Sequence, residues 1–426
     1  MKHRNVILPN NLQVLIIDTE SFPTVTTMLM VGAGSRFENS KNNGIAHFFE
    51  HMAFKGSKKY ENSLVISSTI EGLGGAFNAF TSKDHTGYWI KSTTEHFDTV
   101  VDVLSDMVLA PKLLAEEIER EKGVIIEEIN MYEDTPARRV GELFENLLYK
   151  NDALGFDIAG TPEIVRTFNR ETFTDYIDYL YHPENAIFVI AGGLKGDFDR
   201  YEKVVREKFG SWKSGTVPPL PTLIENQTKP GILIHHKKTE QAHFTLGFRA
   251  FSFHDKRRSA LSVLSAILGG GMSSRLFIEV RERRGLCYYI GTSRELYHDV
   301  GNFYIQAGIT NHIDKVKEAV RVTLQECIKI TKGDVTEGEM VKAKEMIKGR
   351  MLLSMEDSQS VASYFGARKL LEKSDETPED ALRKIEQVTK EDVTDLAKEL
   401  FVPSKLNFAL IGPFEEKCIT QSDLAL

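Results

Sequence analysis

At 426 residues the chain is too long for a single hydrophobic core, so two domains or more are expected. Hydrophobic residues make up 41% and charged residues 27%, the balance of a soluble globular protein. A net charge of -8 argues against nucleic acid as the main partner, and no run approaches the ~18 apolar residues that a membrane-spanning helix needs.

The opening segment has a basic start, but Pro9 and two asparagines interrupt it before any long apolar stretch. It lacks the apolar run and small-residue cleavage site of a secretory leader, so a cytoplasmic location is the expectation. In the first half, β-branched and apolar runs predict strands over 13–18, 26–32, 86–93 and 186–192. Helical periodicity marks 43–55, 61–73, 95–109, 113–133, 137–149, 170–181 and 198–209. Second-half strands are predicted over 231–236, 243–250, 301–308 and 406–412. Strands interrupted by helix pairs, with turn signals such as Gly74-Gly75, predict an α+β fold. The expected architecture is a pair of homologous α/β sandwich domains, each a mostly antiparallel sheet with helices on one side.

The helix near residue 45 carries the strongest chemical signal. It reads His47-Phe48-Phe49-Glu50-His51 and follows Ser40-Lys41-Asn42-Asn43, where either Asn42 or Asn43 can cap it. Positions i and i+4 share a helix face, so both imidazoles can meet one ion; Glu50 at i+3 can act on a water there. Phe48 and Phe49 project elsewhere and would bury the helix. Two histidines leave room for a carboxylate, and residues 116–129 are the natural source. There Glu121 and Glu128 stand seven apart on one face, with Val124 and Ile125 between them. Carboxylates on a half-apolar stripe are costly unless they meet a cation, whereas most carboxylates on so acidic a helix are solvated. Glu127 points about 100° away from Glu128 and sets the risk in register.

Three prolines within Pro218-Pro219-Leu220-Pro221 can sit in neither a helix interior nor a central strand. This divides the chain into residues 1–213, a linker over 214–229 and residues 230–426. The two halves resemble one another. Met28–Gly34 resembles Phe244–Ala250 at an offset of 216, and Tyr88-Trp89-Ile90 resembles Phe303-Tyr304-Ile305 at 215. His96 and Asp98 match His312 and Asp314 at 216, and Ile187–Gly192 matches Asn407–Gly412 at 220. A nearly constant shift points to a tandem duplication. The offset places Val263 opposite His47, with no histidine or acid over 263–267, so the second half keeps no metal site. Gly269-Gly270-Gly271 lacks the Lys-Ser/Thr ending of a phosphate-binding loop. Cys287, Cys327 and Cys418 form no CxxC, which fits a reducing compartment and thiols that pack as small hydrophobes. His85 has no spacing to the metal motif and is expected to be structural.

The inverted His-x-x-Glu-His order, with Glu128 after 76 intervening residues and Glu121 seven before it, resembles the pitrilysin and insulin-degrading enzyme family of zinc peptidases. The processing-peptidase branch, with short chains of two such domains, is the most similar, and the resemblance covers nearly the whole chain. It implies one zinc per chain held by His47, His51 and Glu128, with Glu50 as general base and Glu121 supporting a ligand. It further implies that Ala76, Phe77, Asn78 and Ala79 form an edge strand onto which a peptide or unfolded polypeptide adds, Asn78 lending its amide. Arg281 and Tyr288 would hold the substrate carbonyl and the oxyanion, although Arg283, Arg284 and Tyr289 are close neighbours and a plain basic helix end fits the same residues. A closed chamber and a dimer, with a second copy or a paralogue, follow from the same resemblance. Two other readings remain in view: a non-catalytic assembly subunit of this fold, and a module that captures peptides without cutting them.

Overall fold

All eight strands predicted from apolar runs form, and three more join them. In this computed structural model, which describes residues 1–426, the first half runs β1 (Lys2–Ile7), β2 (Gln13–Asp18), β3 (Thr24–Val31), α1 (Ile45–Ala53), α2 (Ser63–Gly72), β4 (Ala76–Thr81), β5 (Thr86–Thr93), α3 (Phe97–Leu109), α4 (Ala115–Glu133), α5 (Pro136–Leu148), α6 (Pro162–Val165), α7 (Arg170–Leu180), β6 (Ala186–Gly192) and α8 (Phe198–Phe209). The second half runs β7 (Gly231–His236), β8 (Gln241–Ala250), α9 (Arg258–Gly269), β9 (Cys287–Leu296), β10 (Gly301–Thr310), α10 (Ile313–Thr331), α11 (Glu337–Ser354), α12 (Ser358–Ala367), α13 (Pro378–Gln387), α14 (Lys390–Leu400) and β11 (Leu406–Gly412). The three strands that apolar runs did not mark, β1, β4 and β9, all lie at sheet edges. An edge strand is half solvated, so its sequence carries polar residues where a central strand needs apolar ones. No helix is long and apolar enough to cross a membrane.

The first sheet has the order β1-β2-β6-β3-β5-β4 and the second β7-β11-β8-β10-β9. Each contains one parallel pair, β2 with β6 and β7 with β11, among antiparallel neighbours. Apart from β1 the two orders are the same, strand for strand, which is what a duplication requires.

Helices lie on both faces of the first sheet, which refines the expectation of helices on one side. One face packs against α1, α3, α7 and α8 in the larger core, including Phe48, Val100, Phe173 and Val205. The other carries Leu15, Ile17, Met28, Met30, Ile187, Val189 and Ala191, and it is covered by Val361 and Ala362 of α12. The second sheet does the reverse: Val140, Leu143, Phe144 and Leu148 of α5 cover its Ala409 and Ile411. Each half therefore supplies one helix to the other half's sheet.

The compact units follow this exchange. One comprises residues 1–130, 156–221 and 353–376; the other comprises 131–155, 222–352 and 377–426. A boundary drawn only through the proline-rich segment keeps α5 and α12 with the wrong sheets. An amphipathic helix shows that it has an apolar face but not which sheet buries it. The segment itself, 213–228, holds neither helix nor strand.

Candidate metal centre

The short helix α1 is fixed from both ends before any metal chemistry begins. Ile45, Ala46, Phe48, Phe49, Met52 and Ala53 are buried, and positions 47, 50 and 51, of which His47 is also buried, share one stripe. Phe48 packs edge-on to Phe173 at 5.0 Å between ring centroids, and Phe49 to Tyr181 at 4.9 Å. The capping differs from the expectation: neither the Asn42 nor the Asn43 side chain accepts from the first turn. Instead the buried carboxylate of Glu38 accepts from the backbone N–H of Gly44 at 2.8 Å and of Ala46 at 2.9 Å. The Asn43 amide donates to the same carboxylate at 2.8 Å and thereby holds it in place. A carboxylate at a helix N-terminus meets the positive end of the dipole, although burial still pushes Glu38 up to about 7. Gly44 has φ 99°, and a Cβ there would stand 2.7 Å from the Ala159 carbonyl oxygen, so glycine is required.

Opposite this stripe, α4 presents Glu121 and Glu128 on one face while Glu127 is exposed, which resolves the register in favour of Glu128. The Nε2 atoms of His47 and His51 lie 3.6 Å and 3.4 Å from Glu128 Oε2. Two donors bound to one tetrahedral zinc at about 2.1 Å stand about 3.4 Å apart, so these separations fit such an ion. The three residues also form a group whose ligand atoms all lie within 4.8 Å of one another. Two imidazoles and one carboxylate are the donor set of a catalytic zinc that keeps a fourth position open.

Glu121 decides which nitrogen of His51 would face an ion at this site. Its Oε1 lies 2.9 Å from His51 Nδ1, and its Oε2 lies 2.5 Å from Lys55 Nζ. Donation from Nδ1 to a carboxylate leaves the Nε2 lone pair for the metal and raises the ring's basicity. Burial by itself would depress the imidazole, but Glu121 and Glu128 outweigh it and push His51 up to about 9. Glu121 is raised by burial yet ends below the ordinary carboxylate range, because His51 and Lys55 favour its anion. Lys55 escaped the sequence reading although it follows His51 by four residues and so continues the same stripe.

Glu50 lies on this stripe within electrostatic reach of His51 and Glu128. Burial raises its pKa, and a hydrogen bond from Thr81 Oγ1 to Oε2, at 2.5 Å, opposes the shift. Thr81 ends β4, and no sequence signal marked it, because a threonine in a strand is usual. The strand β4 pairs only with β5, leaving its other edge open along Ala76, Phe77, Asn78 and Ala79. Asn78 is exposed, and its Oδ1 accepts from the N–H of Ala79 at 2.8 Å. His85 is structural, with Nδ1 2.8 Å from Ser82 Oγ and its pKa depressed to about 4 by burial.

In the second unit, Arg281 lies over the rings of Phe277 and Tyr288, at 4.6 Å and 5.4 Å from their centroids. Arg281 also pairs with Glu282 at 3.9 Å, Arg283 and Arg284 pair with Glu279, and Tyr289 Oη meets His243 Nδ1 at 3.0 Å. Tyr288 is exposed. The helix α9, the counterpart of α1, buries Val263, Ala266 and Ile267 where α1 carries His47, Glu50 and His51. Gly269 at its end and Gly270 after it serve packing, since a Cβ on either would stand 2.6 Å from the backbone nitrogen of Thr292 or from Met346 Cε.

Comparison with known proteins places the chain as a whole. A family model described as Insulinase (Peptidase family M16) matches residues 13–162, and one described as Peptidase M16 inactive domain matches residues 167–347. An uncharacterized zinc protease of Bacillus subtilis, YmxG, is 35% identical over 95% of this chain and 97% of its own. Another from Streptomyces coelicolor is 32% identical over 97% of this chain and 90% of its own. Among solved structures, a protease from Helicobacter pylori superposes with a TM-score of 0.90 at 24% identity, covering 97% of this chain and 99% of that one. A peptidase M16 inactive domain structure from Pseudomonas fluorescens gives 0.88 at 19% identity, covering 97% and 99%. At such identities the structural likeness bears on the fold alone.

Proposed function

This chain belongs to the insulinase (M16) family of peptidases, and on that premise we propose that it is a zinc-dependent endopeptidase acting on peptides held in extended form along the open edge of β4. The observation that carries the proposal is the convergence of His47, His51 and Glu128 at zinc-like spacing, with Glu50 on the same stripe.

When bound, zinc supplies Lewis acidity at the scissile carbonyl and to water. Glu50 takes a proton from the attacking water on its carboxylate and delivers it to the leaving amine nitrogen. Burial favours a Glu50 that holds this proton between the two transfers, and Thr81 fixes the carboxylate by its hydrogen bond. Glu121 holds the His51 ring so that Nε2 faces inward. Main-chain hydrogen bonds from β4 would grip the substrate without reading its sequence, with the exposed Asn78 amide adding a side-chain contact. Arg281 and Tyr288 are assigned to the substrate carbonyl and the developing oxyanion. The same proposal includes a closed chamber, pairing with a second copy or a paralogue, one zinc per chain and a cytoplasmic location.

Metal analysis together with cleavage of a mixed peptide pool tests the proposal, with Glu50→Gln as control. Zinc at one equivalent and Glu50-dependent cleavage are expected. Bound zinc with no cleavage beyond the control would leave a non-catalytic subunit of the same fold. Mixing a Glu50→Gln chain with an Arg281→Ala chain addresses the partner: regained activity in mixed dimers would mean that Arg281 serves the zinc of the other copy.

A further inference from the structure

The exchanged helix α12 and the turn before it carry a pocket of about 460 Å³, lined by Ser354, Met355, Gln359, Ser360, Ser363 and Tyr364. The zinc chemistry uses none of these residues, and all of them come from the second half of the sequence. They nevertheless belong to the compact unit that holds the metal centre.

The position of this pocket relative to β4 follows from strand register. Directly opposed residues of an antiparallel pair project to the same face, so Ala76 shares a face with Lys91, Asn78 with Trp89 and Phe80 with Gly87. Phe77, Ala79 and Thr81 project to the other face, where Thr81 reaches Glu50 and Phe77 packs against Phe54. The Lys91 face is the one that α12 covers. Lys91 Nζ pairs with Asp357, which caps α12, and Trp89 and Phe80 pack into the same cluster as Met355. The helix lies diagonally: Ser358 near its start bonds to Thr26 on β3, whereas Phe365 near its end meets His3 on the far edge strand β1. Its N-terminal end is therefore the end nearer β5 and β4.

A peptide added to β4 continues the sheet about 4.8 Å beyond it, with alternate side chains on the two faces. Those on the Thr81 face point to the metal side. Those on the Lys91 face point to the side on which α12 begins. There β4 contributes only Ala76 and Asn78 at its exposed end, which leaves that side open.

We propose that the pocket formed by residues 354–364 is a specificity wall that reads alternate side chains of the β4-bound peptide and favours neutral hydrogen-bonding ones. Three serine hydroxyls, one amide, one phenol and one thioether offer donors and acceptors but no net charge. The charges beside it are paired: Lys91 with Asp357, and Arg368, which lies over the Tyr364 ring at 4.1 Å, with Glu372 and Glu376. A charged substrate side chain would lose water here without gaining a counter-ion, whereas a glutamine, asparagine, serine or threonine would exchange one set of hydrogen bonds for another. The proposal rests on strand addition at β4 and deepens that reading.

The test is a pair of charge variants, Gln359→Glu and Gln359→Lys. Each is measured for binding of a peptide library to the Glu50→Gln chain and for the cleavage-site profile in the Glu50 background. Gln359→Glu should enrich lysine and arginine at every second peptide position, and Gln359→Lys should enrich aspartate and glutamate at the same positions. Each enrichment should be roughly threefold to fivefold, the size of a partly exposed ion pair. Zinc content and kcat should stay at parent values, the change appearing in KM. Identical profiles for parent and both variants, with all three folded and zinc-loaded, would overturn the proposal. So would a shift without the two-residue period. Failure of the peptidase reading looks different: selective binding by the Glu50→Gln chain would persist while the parent cleaves nothing.

Discussion

Replacing Glu121 by glutamine isolates an interaction that would orient a zinc ligand without touching the ion. The substitution keeps the side chain's volume and one acceptor oxygen. It removes the charge that faces His51 Nδ1 at 2.9 Å and Lys55 Nζ at 2.5 Å. The Glu121 side chain is 3% exposed, so water does not take its place. Loss of such a supporting carboxylate typically weakens metal affinity by about 10- to 100-fold, or about 1.4–2.7 kcal/mol. Lys55 also loses its partner, which adds a separate cost in folding stability of about 1–3 kcal/mol. Zinc affinity is read by competition with a chromogenic chelator at fixed pH, and the stability term by urea titration of the chelator-stripped chain. Glu127→Gln, one residue from the ligand but exposed, serves as the control and should bind zinc like the parent. An affinity for Glu121→Gln within twofold of the parent would refute the reasoning that the carboxylate fixes the His51 ring.

Glu50→Gln should retain zinc by elemental analysis while peptide hydrolysis falls about 10²- to 10⁴-fold, the range of a general base. Thr81→Val removes the hydrogen bond to Glu50 and should lower kcat by roughly fivefold with zinc content unchanged, a loss that Thr81→Ser restores. Zinc uptake should release a proton, because His51 in the stripped chain is pushed up to about 9 and Nε2 must shed its proton to bind. Calorimetry in two buffers of different ionisation enthalpy at pH 7 measures it. The same raised pKa has a sign for stability. Because the folded value lies above the unfolded value of 6.5, the stripped chain holds this stabilisation fully below pH 6.5 and loses it as pH rises through about 9. A fragment ending at residue 213 lacks α12 and leaves Leu15, Met28, Met30 and Val189 uncovered, so it should aggregate or bind a hydrophobic dye. Adding residues 353–376 in trans should reduce that binding.

How much of this was legible in the sequence depends on the range of each interaction. The spacing of His47, Glu50 and His51 is local, and the period of a helix converts it directly into a shared face. The seven-residue spacing of Glu121 and Glu128 works in the same way on α4. The central strands declare themselves because burial on both faces demands apolar runs. The edge strands β1, β4 and β9 do not, because one side of each faces water. The cap on α1 is illegible for a related reason. Neighbouring asparagines are the usual caps, but a buried carboxylate from six residues before Gly44 occupies the N-terminus instead.

The sequence by itself determined the motif, the duplication and the apolar residues that stand over 263–267 where the first copy has its histidines, since all three are patterns of residue type along the chain. Only the tertiary structure decided that Glu128 and not Glu127 meets the histidines, because that choice depends on how α4 is rotated against α1. It alone revealed that Lys55 and Thr81 hold Glu121 and Glu50, contacts between side chains with no fixed sequence spacing. It also decided which sheet each exchanged helix covers. An amphipathic stripe specifies that a helix must be buried, while the partner that buries it is chosen by the path of the whole chain.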